Sequence, residues 1–190
     1  MIIGITGSIA TGKSVVTKYL AKKGFPIVDS DRLAQAELDR PETMAALTQH
    51  FGEKILENQK INRKALGAII FGNTEERLFL NSVIHPKVIA RIRELTKGNE
   101  ETVFVDVPLL YEAKMEDLFD QVIVVYANPA NQLKRLMARD HISETYARQK
   151  ISAQMDVEMK ISRADHVINN NGSVKETHRQ IDDILRRITK

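Results

Sequence analysis

The sequence predicts an α/β protein whose parallel five-stranded sheet is flanked by helices. Short runs rich in Ile and Val are mostly apolar throughout, which is typical of strands buried on both faces. Stretches with helical spacing separate these runs, and strands that alternate with helices indicate a parallel sheet. A chain of 190 residues is also long enough to bury about 70% of its unfolded surface, so one core with insertions is expected.

Five strands are predicted in chain order. The first covers Ile2–Thr6 and the fourth covers Gln121–Tyr126. The second and third lie at residues 26–29 and 102–107, and the fifth, which is less apolar, lies at residues 165–169.

Capping signals mark several of the helices between the strands. A helix is predicted over Lys13–Lys22, directly after the first strand. Asn128 and Pro129 suit the N-cap and the first turn of a helix after the fourth strand. Ser173 and Glu176 have capping-box spacing, so the last helix is expected to begin there and to keep its apolar period to the end of the chain.

Two stretches are too long or too polar for a simple crossover between strands. Residues 31–97 contain no convincing strand and predict several helices, one of them long, over residues 75–96, with a kink at Pro86. Residues 139–163 are polar and helical. We therefore expect a core formed by residues 1–30, 98–138 and 164–190, a helical substrate domain at 31–97 and a lid at 139–163.

Composition excludes several classes of protein. There is no cysteine, which rules out disulfides, thiol catalysis and cysteine-based zinc sites. The net charge of +3 from 28 basic and 25 acidic residues is too small to argue for nucleic acid. No apolar run approaches the roughly 20 residues of a membrane span. Because a strand begins at Ile2, we expect no signal peptide, and we expect a cytoplasmic protein that acts as a monomer.

A glycine-rich motif carries the clearest chemistry. Residues 7–14, GSIATGKS, match G-x-x-x-x-G-K-[ST] between the first strand and the first helix. Glycines let backbone N–H groups face phosphate oxygens, and a helix N-terminus favours an anion. Lys13 would meet the β- and γ-phosphates, and the Ser14 hydroxyl would ligate Mg²⁺. The motif predicts a nucleoside triphosphate site and leaves the second substrate open.

Acidic residues follow two more predicted strands, at the sheet edge where ligands bind. Asp29 and Asp31 end the second strand, and such carboxylates can hold Mg²⁺ through water or accept a proton from a hydroxyl. We assign Asp31 as the general base, while Asp29 can cap the next helix. Asp106 ends the third strand and is expected near Mg²⁺. Leu109 and Leu110, just beyond it, fit either the core or a substrate wall.

Three further sites depend on their place in the predicted fold. Arg135 and Arg139 flank the expected lid, where an arginine can stabilise charge on a transferring phosphoryl group, although a solvated helix face is the alternative. Asn170 lies in the turn after the fifth strand, from which its amide can reach a nucleobase. His85 precedes Pro86 in the helical insertion, and most often such a histidine caps a helix or lies in the core.

With these residues in view, the chain resembles the dephospho-CoA kinase family nearly end to end. The resemblance is carried by segments in a fixed order, namely the strand and phosphate loop, Asp29-Ser30-Asp31, the LNSVIHP run ending at Pro86, the DVPLLYE run from Asp106 to Glu112, Gln132 with Arg135-Leu136 and Arg139, the ISAQ run ending at Gln154, Ala164-Asp165, and Asn170-Asn171-Gly172. The phosphate loop alone is unspecific, whereas DVPLLYE together with the His-Pro pair is specific.

The resemblance implies that ATP phosphorylates the 3′-hydroxyl of the dephospho-CoA ribose, giving CoA and ADP, with Mg²⁺ as cofactor. It implies a phosphate-loop NTPase-type kinase core with a helical substrate domain and a lid. It carries over a set of site residues. The ATP site is Ala10, Thr11, Gly12, Lys13, Ser14 and Val15, with Arg139 from the lid; the base is Asp31; the dephospho-CoA site includes Thr6, His85, Asp106, Leu109, Leu110 and Glu112.

Some positions depart from the family pattern, and rival functions remain. Ser8 and Ala10 stand where glycine is common, Val15 replaces a usual threonine, and Tyr111 replaces a common phenylalanine. Another small-molecule kinase, shikimate-like or acting on nucleoside monophosphates, is the nearest alternative, but it explains DVPLLYE and the large insertion less well. A nucleotide-binding module without catalysis is the alternative from another class, and Asp31 and Arg139 argue against it.

Overall fold

The computed structural model describes residues 1–98 and 100–188, so Asn99 and residues 189–190 of the predicted core lie outside the described part. Its strands, in chain order, are β1 Ile2–Thr6, β2 Ile27–Asp29, β3 Leu56–Glu57, β4 Lys60–Ile61, β5 Val103–Asp106, β6 Gln121–Tyr126 and β7 His166–Asn169. Its helices are α1 Lys13–Lys22, α2 Ser30–Leu38, α3 Pro41–Phe51, α4 Arg63–Ile70, α5 Thr74–Thr96, α6 Pro129–Asp140, α7 Glu144–Ser152, α8 Val157–Ile161 and α9 Val174–Ile188.

Five parallel strands form the main sheet in the order β2-β5-β1-β6-β7. The predicted parallel five-stranded sheet is confirmed, and each predicted strand lies within about a residue of its expected bounds. The predicted caps are also present: Asn128 accepts a hydrogen bond from the Asn131 N–H, and Ser173 and Glu176 bond each other's backbone N–H groups. Local capping chemistry therefore sets where α6 and α9 begin.

A continuous apolar core joins the sheet to the first and last helices. Its members are the inward-facing residues of the strands and the buried faces of α1 and α9, namely Ile3, Ile5, Val16, Leu20, Phe104, Ile123, Val125, Ile168, Ile181, Ile184, Leu185 and Ile188. Burial of this many large side chains is what fixes α1 and α9 against the strands. The loop between β1 and α1 is thus held at both of its ends.

The chain divides into two compact units. One consists of Met1–Asp29 with Thr96–Lys190 and contains the parallel sheet; the other is Ser30–Leu95. The second unit has its own core, formed by Leu47, Phe51, Ile55, Ile61 and Leu66. No helix in the described ranges is both long and apolar enough to cross a membrane.

The second unit contains strands that the sequence did not predict. Leu56 pairs with Ile61, and Glu57 pairs with Lys60, in a two-stranded antiparallel hairpin. Its turn residues Asn58 and Gln59 have φ of 50° and 60°, the left-handed geometry that two-residue hairpin turns need. The expectation of helices alone over residues 31–97 is therefore wrong at this hairpin, whose strands of two residues each are too short to show a strand period.

The carboxyl ends of three neighbouring strands bring polar residues to one edge of the sheet. Asp29 on β2 lies in register with Asp106 on β5. Ile5 on β1 is also in register with Asp106, so Thr6 and the loop that follows begin beside that carboxylate. Parallel strand order alone therefore places two acidic residues next to the glycine-rich loop.

Candidate active site

The glycine-rich loop at residues 7–14 leaves β1 and enters α1 at Lys13. It closes on itself, because the Ser8 carbonyl accepts from both the N–H of Thr11 at 3.2 Å and the hydroxyl of Thr11 at 2.8 Å. Two residues turn in the left-handed region, Ala10 with φ of 60° and Gly12 with φ of 94°. Such a succession of turns forms the backbone concavity that binds anions.

Gly12 lies against the buried side chain of Asn170. A Cβ atom at position 12 would stand 2.0 Å from Asn170 Nδ2, so only glycine fits there. Nδ2 donates to the Thr11 carbonyl at 2.8 Å, and Oδ1 accepts from the Thr177 hydroxyl at 2.9 Å. Both ends of the amide that the sequence assigns to ATP therefore bond protein atoms and support the loop from outside.

Arg135, on α6, braces the same part of the loop. Its guanidinium donates to the Asn170 carbonyl at 2.8 Å and to the Thr11 carbonyl at 3.4 Å. The side chain of Arg135 is half-buried and places a positive charge close to the loop. The resemblance favours Arg139 as the arginine that stabilises the phosphoryl group, and it does not predict that Arg135 supports the loop.

Lys13 and two carboxylates form the charged centre of this unit. Lys13 Nζ lies 3.3 Å from Asp106 Oδ1, and that oxygen is buried without a hydrogen bond. Burial raises the pKa of Asp106 above the usual carboxyl value; Lys13 acts in the opposite direction and Asp29 adds to the rise. Ser14 follows at the first turn of α1 and is exposed. A buried carboxylate oxygen that is ion-paired with a lysine but lacks a hydrogen bond of good geometry can still accept a further ligand.

The segment after β5 contains residues that the resemblance places near the acceptor. The Thr6 hydroxyl donates to the Pro108 carbonyl at 3.2 Å. Leu109 is 40% exposed, whereas Leu110 is 0% exposed and packs at the position of Gly4. Leu110 therefore packs in the core of this structure, and its predicted contact with the substrate stays a prediction.

Glu112 takes part in a buried ion pair. Its Oε1 lies 2.8 Å from Nζ of Lys160, whose side chain is 0% exposed, and it accepts from the Met155 N–H at 3.0 Å. Glu112 Oε2 is buried without a hydrogen bond. The carboxylate predicted to lie near dephospho-CoA thus anchors the start of α8 to the segment after β5.

Arg139 lies at the C-terminal end of α6 and is paired with its neighbour. Its Nε donates to Asp140 Oδ1 at 2.7 Å, and its side chain is 56% exposed. Lys150 Nζ donates to the other oxygen of Asp140 at 2.9 Å. The hydrogen bonds from Arg139 and then from Lys150 hold the pKa of Asp140 well below its usual value. The structure therefore does not bring Arg139 into the loop's network.

The other two predicted residues belong to the unit Ser30–Leu95. Asp31 is exposed in the first turn of α2, two residues after the end of β2. His85 lies within α5, next to Pro86. Burial lowers the pKa of His85, so the imidazole is neutral at pH 7 and available as a hydrogen-bonding group without charge.

No structural role was predicted for several residues that hold this site together, although Gln132, Arg135 and Gln154 lie in segments that carry the resemblance. They are the polar side chains that contact the loop or its supports from distant parts of the chain, namely Gln132, Arg135, Gln154, Lys160 and Thr177. One of them had a readable signal: Lys160 is three residues after Val157 and shares its helix face, and a lysine on a buried face needs an acidic partner.

A lysine at a glycine-rich helix start, with an acidic residue ending the neighbouring parallel strand, is the arrangement that binds and polarises a nucleoside triphosphate. Together with the strand order, it defines the chain as a P-loop kinase-type phosphotransferase.

Comparison with known proteins identifies the family. The family model described as dephospho-CoA kinase matches residues 1–176. The dephospho-CoA kinase of Carboxydothermus hydrogenoformans is 45% identical over 192 residues, covering 98% of this chain and 93% of that protein. The chain therefore belongs to the dephospho-CoA kinase family.

Two solved structures agree with that result. A Thermus thermophilus protein has a TM-score of 0.86 at 32% identity, covering 100% of this chain and 98% of the other. The dephospho-CoA kinase from Campylobacter jejuni has a TM-score of 0.67 at 31% identity, covering 98% of this chain and 96% of the other. Both comparisons cover at least 98% of this chain, so the similarity includes the helical insertion as well as the sheet.

Proposed function

We propose that this protein transfers the γ-phosphoryl group of ATP to the 3′-hydroxyl of the ribose of dephospho-CoA, giving CoA and ADP. The observation that carries the proposal is the glycine-rich loop with the ion pair of Lys13 and Asp106, in a chain of the dephospho-CoA kinase family. In this reaction a bond forms between the 3′-oxygen and the γ-phosphorus, and the bond to the β-phosphate oxygen breaks.

Binding of the triphosphate falls to the residues at 10–15. Backbone N–H groups of the loop and the N-terminus of α1 bind phosphate oxygens, and Lys13 neutralises charge at the β- and γ-phosphates. Positioning and charge neutralisation supply most of the rate enhancement in phosphoryl transfer. The loop and Lys13 can therefore promote the transfer by positioning ATP and neutralising its charge, without forming a covalent bond to it.

The oxygen donors near Lys13 suit Mg²⁺. Magnesium prefers hard oxygen ligands and keeps several waters. The Ser14 hydroxyl and the carboxylate of Asp106, whose buried Oδ1 makes no hydrogen bond, are ligands of that kind, and Asp29 lies in register beside Asp106. Bound there with ATP, Mg²⁺ would neutralise charge on the phosphates.

Asp31 is proposed as the general base. An alcohol is far too weak an acid to ionise beforehand, so the carboxylate orients the 3′-hydroxyl and takes its proton as the new bond forms. The remaining proposed neighbours of the acceptor are Thr6, His85, Asp106, Leu109, Leu110 and Glu112. We propose residues 31–97 as the domain that binds it.

Arg139 is proposed as the cation that stabilises the transferring group. To do so it must exchange Asp140 for phosphate, and Lys150, which also bonds Asp140, would keep that carboxylate neutralised. We propose residues 139–163 as a lid whose closure keeps water from attacking ATP.

The proposal is tested by incubating the protein with Mg²⁺-ATP and one acceptor at a time, measuring ADP release and product mass. Of the acceptors tested, only dephospho-CoA should support turnover with Mg²⁺-ATP, and its product should be heavier by one phosphoryl group. Adenosine monophosphate, shikimate and no acceptor are run in parallel. Transfer to one of them, or ATP hydrolysis without transfer to dephospho-CoA, would refute the assignment.

The role of the base is tested by Asp31→Asn. We expect kcat to fall by about 10²- to 10⁴-fold, the usual contribution of a general base, with the KM for ATP unchanged. Asp39→Asn makes the same chemical change at an exposed aspartate of the same unit and should keep kcat. Near-normal kcat in Asp31→Asn would show that another group accepts the proton.

A further inference from the structure

One residue of the glycine-rich loop, Ile9, is held at both of its backbone polar groups by glutamine side chains. The Ile9 N–H donates to Gln154 Oε1 at 2.7 Å. The Ile9 carbonyl accepts from Gln132 Nε2 at 2.7 Å. The backbone fixes the orientation of both amides, because an N–H requires the side-chain oxygen and a carbonyl requires the side-chain nitrogen. Gln132 comes from α6 and Gln154 from the segment between α7 and α8.

The bond from Gln132 also determines where the next N–H points. In a trans peptide the carbonyl of one residue and the N–H of the following residue lie in one plane and point in opposite directions. Gln132 holds the Ile9 carbonyl outward, so the Ala10 N–H is turned away from Gln132. Ala10 itself lies in the left-handed region, with φ of 60°, and an alanine stays there only when its surroundings enforce it.

The same construction recurs two peptide groups further along the loop. The Thr11 carbonyl accepts from Asn170 Nδ2 and from Arg135, which turns the Gly12 N–H away from both. The N–H groups that take part in bonds at this loop are those of Ile9, Thr11 and Val15. Those of Ala10 and Gly12 make no hydrogen bond within residues 1–98 and 100–188.

We infer that Gln132 is a positioning residue for phosphate binding, which it serves by aiming the Ala10 N–H at the nucleotide's phosphates. Gln154 holds the other end of the Ile9 residue from the segment that Glu112 and Lys160 anchor. This inference rests on the proposed function only in taking the loop as the site of a nucleoside triphosphate. It assigns part of the loop's geometry to a side chain that bonds the loop's backbone.

The test makes one chemical change on both sides of Ile9. Gln132→Glu replaces the amide donor with a carboxyl group that, when ionised, cannot donate and repels the Ile9 carbonyl. Gln154→Glu keeps an acceptor for the Ile9 N–H. Each variant adds one negative charge beside the same residue, so Gln154→Glu is the control for charge. Gln132→Met removes the donor without adding charge. It tests the role of the donor if the buried carboxylate keeps Gln132→Glu from folding.

We expect kcat/KM for ATP to fall about tenfold in Gln132→Glu relative to Gln154→Glu, the size of one lost hydrogen bond. Gln132→Met should lose a similar factor relative to the wild type. The loss should lie in the KM for ATP, so that saturating ATP restores kcat and leaves the KM for dephospho-CoA unchanged. The Kd for ADP, measured by calorimetry, should rise by a similar factor.

Three results would overturn the inference. The first is an unchanged KM for ATP and Kd for ADP in Gln132→Met. The second is an equal loss in Gln154→Glu and Gln132→Glu, which would assign the effect to charge. The third is a lower kcat and a lower thermal midpoint in Gln132→Met, with no restoration of kcat by saturating ATP, which would indicate a general loss of structure. Failure of the wild type to phosphorylate dephospho-CoA would refute the proposed function, while the ADP measurement would still decide the role of Gln132.

Discussion

Replacing Gly12 with alanine separates two reasons why the loop needs a glycine. The backbone at Gly12 has φ of 94°, and an added Cβ would stand 2.0 Å from Asn170 Nδ2. Gly24, just after α1, has the same φ of 94°, but nothing lies within 4 Å of its Cβ position. Gly24→Ala therefore measures the backbone strain alone, and Gly12→Ala measures the strain together with the clash.

The structure sets the expected magnitudes. Holding alanine in the left-handed region costs about 1–2 kcal/mol, and about 0.4–1 kcal/mol of this is offset because alanine restricts the unfolded chain. Gly24→Ala should thus lower the free energy of unfolding by about 1 kcal/mol. In Gly12→Ala the Asn170 amide must also move and lose its 2.8 Å hydrogen bond to the Thr11 carbonyl, which then keeps only the 3.4 Å bond from Arg135. This loss adds about 0.5–1.5 kcal/mol.

Thermal unfolding and ADP binding, measured on both variants and the wild type, test this reasoning. For a chain of this size about 1 kcal/mol shifts Tm by about 2–4 °C, so Gly12→Ala should unfold several degrees below Gly24→Ala. Only Gly12→Ala should lose ADP affinity, because only it displaces the brace on the loop. If Gly12→Ala kept both the Tm of Gly24→Ala and wild-type ADP affinity, Asn170 would not hold the loop as described.

Two further predictions concern stability. Lys160→Met should lower the free energy of unfolding by about 2–4 kcal/mol, because it leaves a mostly buried Glu112 without its cation. Denaturant titration of the double variant Lys160→Met/Glu112→Gln should give a loss smaller than the sum of the two single losses. Simple additivity would show that the pair is not coupled. Burial lowers the pKa of His85, so protonation favours the unfolded state; stability should be complete above the ordinary histidine pKa of about 6.5 and should fall as the pH drops through the lowered value. His85→Gln should flatten the dependence of Tm on pH over that range, and an unchanged slope would contradict the assignment.

The sheet was predictable because the residue pattern of most of its strands indicates how each strand is buried. Continuous apolar runs such as Ile2–Thr6 and Gln121–Tyr126 need two covered faces, and only a parallel sheet between helices provides them. The hairpin at Leu56–Glu57 and Lys60–Ile61 was not predictable, since two residues cannot show a period and its turn, Asn58-Gln59, lacks the usual glycine.

The candidate site was predictable only where function and local sequence coincide. The phosphate loop is a contiguous motif, so Gly12, Lys13 and Ser14 could be located from the order of residues alone. The side chains that support the loop are distant in sequence: Gln132 lies 123 residues from Ile9, and Asn170 lies 159 residues from Thr11. Such contacts follow from how elements pack, which a single sequence does not state.

Leu109 and Leu110 show the same limit on a smaller scale. Adjacent residues of identical type receive opposite environments, one 40% and the other 0% exposed. The choice depends on which of the two faces Gly4, a position whose lack of a side chain makes room for Leu110. Chemistry alone could not tell them apart.

The left-handed conformation of Ala10 has a thermodynamic consequence. Alanine at φ of 60° costs the folded protein about 1–2 kcal/mol, a noticeable share of the roughly 5–15 kcal/mol by which a protein is stable. Because surrounding side chains impose that shape before any ligand arrives, the cost lowers stability and leaves affinity intact. An anion then meets an already ordered cradle, and association loses little conformational entropy. Folding thus already meets part of the conformational cost that ordering the loop would otherwise add to binding.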